Sequence, residues 1–366
     1  MSLSELSYQV RRLLPIAAIG VLFMAILYIL MRILLLIIAQ NRPAPPVVVV
    51  TPAYGVLKRA DFLARSPSSD LKYSLDTFSG VPEEATREAR VYFKPRRTPS
   101  FGSTEKARLT ARAFGFSDEV KSKVDGYTVT FVDAVRRLTM DISTFNYSYT
   151  RDFDVDLQKA LGEVLVANQL PQSEDQLLQK AVTSMTDLGR YPYALSRGTR
   201  KLIYHQYDEQ SRQVKIATSS AVANMIEVDF FPEKIDDMDV FTQSYYTSPH
   251  FILFIPGGTA PIVKAQVNHF ETSLSEYSVY PLKPSTQAYD ELIKGQGTIV
   301  SGTRDKGSTV SITRIGVAYV EPDAYSEYLQ PYFVFTDNQD FVAYVPAIAD
   351  EWLEPRATLT GTAQGK

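Results

Sequence analysis

The chain has no cysteine, one tryptophan and three histidines among 366 residues. Without thiols it can form no disulfide, cysteine-ligated zinc site, iron–sulfur cluster or cysteine nucleophile. The histidines, His205, His250 and His269, share no metal-ligand spacing, and H-E-x-x-H does not occur. His205 and His269 read as surface or half-buried strand residues. No G-x-S-x-G elbow is present. "PGGTAP" (Pro256–Pro261) lacks the lysine and the following helix of a phosphate loop, so it reads as a turn between strands. Net charge is −3 with no basic stripe, which argues against nucleic acid as a partner.

What is present suits a sizeable core, with 45% hydrophobic and 22% charged residues, in two lobes. The 22 tyrosines and 19 phenylalanines lean towards strands. The run Leu13–Ala39 is apolar throughout except for Arg32. It exceeds the roughly 20 residues that cross a bilayer and the ~7–15 of a signal peptide. The expectation is a single transmembrane anchor at 13–39 contacting the lipid bilayer. The tail 1–12 would be cytoplasmic and the C-terminal bulk would lie outside the cell membrane. Arg32 would snorkel to the headgroups or meet a carboxylate on a partner helix. A proline-rich tether follows at 40–70.

Three helices carry similar punctuation: Ser103 to Gly115, Ser173 to Gly189 and Ser285 to Gly295. Serine before a helix accepts an orphan N–H, and glycine after it turns cheaply. Ser173 with Gln176 fits a capping box. Leu177, Ala181, Met185 and Leu188 form an apolar stripe. "LKYSLDTFSG" and "REARVYF" read as strands around a turn, and strand-like runs follow each helix, ending in a hairpin around Asp337–Asp340. The predicted fold is α+β: an N-terminal transmembrane helix, then repeated helix-plus-antiparallel-sheet units. A first lobe would span 71–235, a second 236–350, and 351–366 would be a flexible tail.

Candidate chemistry is sparse. Ser69 with Lys72, and Ser103 with Lys106, are S-x-x-K tetrads that could pair a nucleophile with its base. Asp152, Asp154, Asp156 and Glu163 occupy positions 1, 3, 5 and 12 of a calcium loop, but Leu157 stands where glycine belongs. These acidic residues are the candidate metal ligands, against a solvated acidic loop. Asp229, Glu233, Asp236, Asp237 and Asp239 form a second acidic stretch. No cofactor is implied. Tyr147, Tyr149, Tyr245, Tyr246, Tyr325, Tyr328 and Tyr332 suit either sheet packing or a binding face, with Tyr325, Tyr328 and Tyr332 the leading candidates for a face.

The stretch from "YPLKPSTQAYDELIKGQGTIVSG" through "YLQPYFVFTDNQDFVAYVPAI" carries a Tyr-Pro segment, Ala288 and Leu292 in a helix, a glycine-bounded strand and a Tyr-Leu-Gln-Pro hairpin at Tyr328–Pro331. It resembles the C-terminal unit of PepSY-like envelope proteins, and is especially similar to the YycH/YycI-type single-pass regulators of a sensor kinase. The resemblance covers about a quarter of the chain. It implies an anchored extracytoplasmic module that binds or restrains another protein. The expectation is a non-enzymatic binding or regulatory protein whose partner is another envelope protein or a second copy of itself. The alternatives are a structural subunit of a pilus- or secretion-like assembly, or an envelope hydrolase.

Overall fold

The computed structural model describes residues 23–33, 50–60, 62, 66–67, 70–77, 80, 82, 86–167, 173–208, 211, 213–257 and 261–355. The chain divides into two compact units, Met1–Val49 and Val50–Lys366. In the first, residues 23–33 form a helix in which Arg32 Nε donates to Tyr28 Oη, one turn earlier, at 3.1 Å. This corrects the transmembrane element of the expected fold. At ~1.5 Å per residue the described stretch spans about 16 Å, roughly half a bilayer core. Among the described residues no helix is long and apolar enough to cross a membrane. Residues 13–22 and 34–49, which hold the rest of the expected anchor and the start of the tether, lie outside the described residues.

The second unit is mixed α+β, with sheet predominating. Its strands in chain order are β1 (Ser66–Pro67), β2 (Lys72–Leu75), β3 (Glu88–Phe93), β4 (Lys123–Asp125), β5 (Thr128–Val132), β6 (Arg136–Asp141), β7 (Tyr147–Arg151), β8 (Arg200–Asp208), β9 (Gln213–Ile216) and β10 (Met225–Phe230). Then come β11 (Val240–Thr242), β12 (Phe251–Phe254), β13 (Ile262–Val267), β14 (Tyr277–Pro281), β15 (Thr298–Ser301), β16 (Thr309–Ile312), β17 (Arg314–Glu321), β18 (Tyr328–Thr336) and β19 (Val342–Pro346). The helices are α1 (Ser103–Ala113), α2 (Val155–Ala167), α3 (Glu174–Asp187), α4 (Tyr193–Arg197) and α5 (Ser285–Ile293).

A nine-stranded antiparallel sheet runs β4-β5-β6-β7-β13-β12-β10-β8-β9. Alternation decides which faces are apolar. On β10, Ile226, Val228 and Phe230 join the core under α1 and α3, while Met225 points to the opposite face, where α2 packs. The α3 stripe of Leu177, Ala181 and Met185 is buried as its spacing predicts, and Ser173 with Gln176 forms the reciprocal capping box. α1 buries Ala107, Thr110 and Ala111. α2 had escaped the sequence reading, although Leu157, Ala160, Leu161 and Val164 repeat at helical spacing and are buried.

The second sheet runs β1-β15-β19-β18-β17-β11, with β3 pairing β18 and β14. Ala288 and Leu292 of α5 pack on one face with Phe333, Phe335 and Val345. Tyr332, Val334 and Tyr344 point to the other face, under Phe62, Phe241 and Tyr245. The hairpin around Asp337 forms, with Asp337 Oδ1 accepting from the N–H groups of Gln339 and Phe341 at 2.8 and 2.9 Å.

Several expectations change. The helix–strand runs do not each build a sheet, because strands from the first two pool into the nine-stranded one. β2 and β3 are not a hairpin: β2 pairs β16 in parallel, and β3 joins the second sheet. Conversely β12 and β13 insert between β7 and β10, so pairing crosses the expected divide at residue 235. Ser103 and Ser285 are the first residues of their helices rather than caps; Gly102 and Pro284 hold the cap positions. The end of the tether is packed. Thr51 bridges Val279, Leu57 is buried, and Leu57 N–H donates to Trp352 O while Glu354 N–H donates to Leu57 O, both at 2.9 Å. This strap and the start of the expected tail hold each other; residues 356–366 lie outside the described residues.

Gly198, which ends α4, tests the packing. A Cβ there would stand 1.8 Å from Phe231 O and 2.7 Å from Pro232 C, both backbone. A backbone cannot step aside as a side chain can, so Gly198→Ala is expected to cost at least about 2 kcal/mol. Gly316→Ala on β17, with nothing within 4 Å of its Cβ, serves as the control and is expected to leave stability nearly unchanged. Denaturant midpoints of the two variants decide it.

Candidate functional site

The acidic residues singled out by spacing do not surround a common point. Asp154 serves the start of α2: Oδ1 accepts the Leu157 N–H at 2.9 Å, and Oδ2 accepts from Arg151 Nε at 3.1 Å. Burial alone would raise the Asp154 carboxyl; the Leu157 N–H and the Arg151 guanidinium hold it below its ordinary value. Asp156 is exposed and stands 3.6 Å from Arg151 Nη2, and Asp152 is exposed. Glu163 follows nine residues along α2 from Asp154, ~13 Å farther along the axis, because helix replaces the expected loop. Of the tetrads, Ser69 lies outside the described residues, and Lys106 Nζ sits over the Phe145 ring at 4.2 Å.

The three leading aromatics separate. Tyr332 is only 2% exposed and belongs to the core. Tyr325 and Tyr328 come together with Tyr54 in a groove of about 400 Å³. Tyr54 stacks on Tyr328 with ring centroids 4.7 Å apart. Tyr325 Oη donates to Lys94 O at 2.7 Å, and its ring packs against Phe270. The opposite wall is the strap, where Gln330 Nε2 donates to Lys58 O at 2.7 Å and Arg59 Nε donates to Glu354 O at 2.8 Å. Lys58 and Arg59 on the strap face Glu327 on the loop after β17.

Beside this groove lies a buried set that sequence reading did not assemble. His250, His269 and Glu321 bring one ligand-type atom each to within 4.8 Å of one another. His250 precedes β12, His269 follows β13, and Glu321 ends β17. One signal was available: two histidines flanking the outer ends of a hairpin turned at "PGGTAP" must finish side by side. Lys94 Nζ donates to Glu321 Oε1 at 2.7 Å, and the Phe270 N–H donates to the same oxygen at 3.2 Å. Burial alone would raise the Glu321 carboxyl; Lys94 and then His269 outweigh it and hold the group well below the carboxylate range. His269 Nδ1 stands 3.4 Å from Glu321 Oε2 and Nε2 stands 3.8 Å from Glu271 Oε2, neither in an aligned hydrogen bond.

This donor set does not fit a metal ion. The Asn268 N–H donates to His250 Nδ1 at 3.1 Å, so a neutral His250 carries its proton on Nε2 and has no lone pair there. Metal-bound imidazoles are arranged the other way, with the free nitrogen donating. Lys94 would also place an ammonium beside the cation. What remains is a charge-paired seam between the two sheets.

A second acid pair lies on β10, where Glu227 and Asp229 share the face opposite Val228. Asp229 is fully buried, and its Oδ2 accepts the Ser248 N–H at 3.0 Å. Burial, and then the charge of Glu227, raise Asp229 from an ordinary 3.8 to about 7. His250 moves the other way, lowered by burial from 6.5 to about 3. Between pH 4 and 7 the folded chain keeps a proton on Asp229 that the unfolded chain releases. This group therefore removes stability as pH rises, by roughly 1.4 kcal/mol for each tenfold fall in proton concentration. Between pH 6.5 and 3 the unfolded chain binds a proton that His250 refuses, so that group removes stability as pH falls. Asp229→Asn is therefore expected to gain on the native chain above pH 7 and to lose that advantage towards pH 4. Urea titrations across this range read the difference; a constant offset between the two proteins would contradict it.

No family model matches the chain, and no curated protein matches it. Among solved structures, an uncharacterized protein from Eubacterium rectale aligns over 71% of this chain and 82% of that one, at 12% identity and a TM-score of 0.32. That likeness is too low to bear on fold or function.

Proposed function

We propose that the unit from Val50 onward is a non-enzymatic binding protein that regulates another protein by holding an extended segment of it against Tyr54, Tyr325 and Tyr328. The observation that carries this reading is the groove of about 400 Å³ built around those three half-buried rings. Its size falls within the ~300–1,000 Å³ of ligand sites. Tyrosine offers a broad apolar face and a hydroxyl for two side-chain torsions, and with arginine it dominates the energetics of protein interfaces. The Tyr54–Tyr328 stack and the Tyr325–Lys94 bond set the rings in place before a ligand arrives, which lowers the entropy lost on binding. The strap holding Tyr54 is itself pinned, with Tyr280 Oη donating to Gly55 O at 2.9 Å and the Ala60 N–H donating to Tyr332 Oη at 3.3 Å.

Lysine and arginine on one wall and glutamate on the other suit a peptide, whose main chain both donates and accepts and whose side chains carry either sign. The resemblance of the segment from Tyr280 to Ile348 to YycH/YycI-type regulators supports the regulatory part of the proposal. An assembly subunit would use the free edges of β4 and β9. Those edges are three and four residues long and bear Lys123 and Lys215, features that discourage strand pairing.

A displayed random-peptide library selected on the full chain tests the proposal, with Tyr328→Ala and Tyr54→Ala as parallel baits. The expected result is a shared motif whose affinity drops by about tenfold or more on either variant, a difference of about 1.4 kcal/mol. No motif on the native chain, or one retained equally by both variants, overturns it.

A further inference from the structure

The tyrosine groove is rich in rings and poor in free main chain. Leu57 O accepts the Glu354 N–H, Lys58 O accepts from Gln330 Nε2, Glu327 O accepts the Lys94 N–H at 2.8 Å, and Tyr328 O accepts from Ser326 Oγ at 2.9 Å. The Ala60 N–H is engaged by Tyr332 Oη. Tyr328, at the start of β18, is paired with Phe93 of β3. A peptide docked as an added strand draws its affinity from main-chain bonds to an open sheet edge, and among the described residues this groove presents none. N–H groups that such a peptide turned inward would lose water without gaining an acceptor. Proline avoids that cost because it has no N–H.

The side chains of the groove suit proline in three ways. Tyr54 and Tyr328 present a stacked pair of rings and Tyr325 a third, steadied by Phe270, and grooves lined by aromatic rings hold pyrrolidine rings well. The Tyr54 hydroxyl has no hydrogen-bond partner among the described residues, so it is free to donate to a proline carbonyl, which only accepts. Glu327 is exposed at the rim and makes no ion pair among the described residues, so a lysine or arginine flanking the prolines finds a partner there. A polyproline II segment, rising ~3.1 Å per residue, is already extended before it binds and loses little entropy on docking. We propose that the segment held by Tyr54, Tyr325 and Tyr328 is a proline-rich stretch of a partner protein, docked as a polyproline II helix with a basic residue towards Glu327. This rests on the reading of the groove as a peptide site and narrows it to one class of peptide.

Fluorescence anisotropy of the full chain with fluorescein-labelled Arg-Pro-Pro-Ala-Pro-Pro-Ala-Pro tests the proposal against the same peptide with alanine in place of every proline. The proline probe is expected to bind about tenfold or more tighter. Tyr328→Ala and Tyr54→Ala are each expected to remove that advantage, and Tyr54→Phe, which keeps the ring, to reduce it only in part. Glu327→Gln, at an exposed position, is expected to weaken this probe but not one that begins with glutamine. Equal binding of the two peptides, or proline-selective binding that survives both alanine variants, overturns the inference. The displayed library separates this failure from failure of the broader reading. A motif without proline that depends on Tyr54 and Tyr328 overturns the proline assignment alone, whereas no motif and no probe binding overturn both. A chain that sediments as a dimer and is dispersed by the probe gives the groove to a second copy and overturns the assignment to a partner.

Discussion

A glutamate sealed from water, and held ionised by a buried lysine, ties the two sheets together. The Lys94 and Glu321 side chains are 1% and 6% exposed and meet at 2.7 Å. Either ion alone at that depth would cost several kcal/mol, so each must keep the other. Lys94 follows β3 and Glu321 ends β17, both in the second sheet. The same carboxylate takes the Phe270 N–H and faces His269, both on the connector leaving β13 of the nine-stranded sheet. One carboxylate thus gathers groups from both layers, and an error in the placement of either sheet would strand a buried charge.

The tyrosine groove of the second unit depends on that seam. The loop after Glu321 is held by Asn268 Nδ2, which donates to Asp323 O at 2.7 Å, and by Tyr325 Oη on Lys94 O. Its outer side is one wall of the tyrosine groove. The groove's other wall is the strap, which stays in place because Leu57 is buried and bridged to Leu353. A segment that reads as a proline-rich tether is therefore structural, and its aromatic residue, Tyr54, reaches Tyr328 only because of this long-range bridge.

Local signals were legible where a single element explains them. The α3 capping box and stripe and the Asp337 hairpin need only neighbouring residues, and each appears as read. Reading went astray where one residue had two local explanations. Ser103 and Ser285 look like caps, but the residues before them take those positions. The alternating aspartates 152, 154 and 156 look like a metal loop, yet the apolar stripe of Leu157, Ala160, Leu161 and Val164 wins the segment for a helix. The apolar run 13–39 suggested a membrane crossing by composition, whereas among the described residues, 23–33 of that run, no helix is long and apolar enough to cross a membrane.

The sequence by itself determined the mixture of helix and sheet, the positions of α1, α3 and α5 and of most strands, and the kinds of site it cannot form for want of cysteine. Those properties depend on periodicity and on residue chemistry, which act within a few residues. Only the tertiary structure decided which sheet each strand joins, that His250 and His269 converge on Glu321, and that Tyr54 completes the groove of Tyr325 and Tyr328 while Tyr332 sinks into the core. Strand pairing is a choice among many edges of similar local quality. It is settled by which arrangement buries the apolar faces while leaving no charge unpaired, a condition that no short stretch of chain can express.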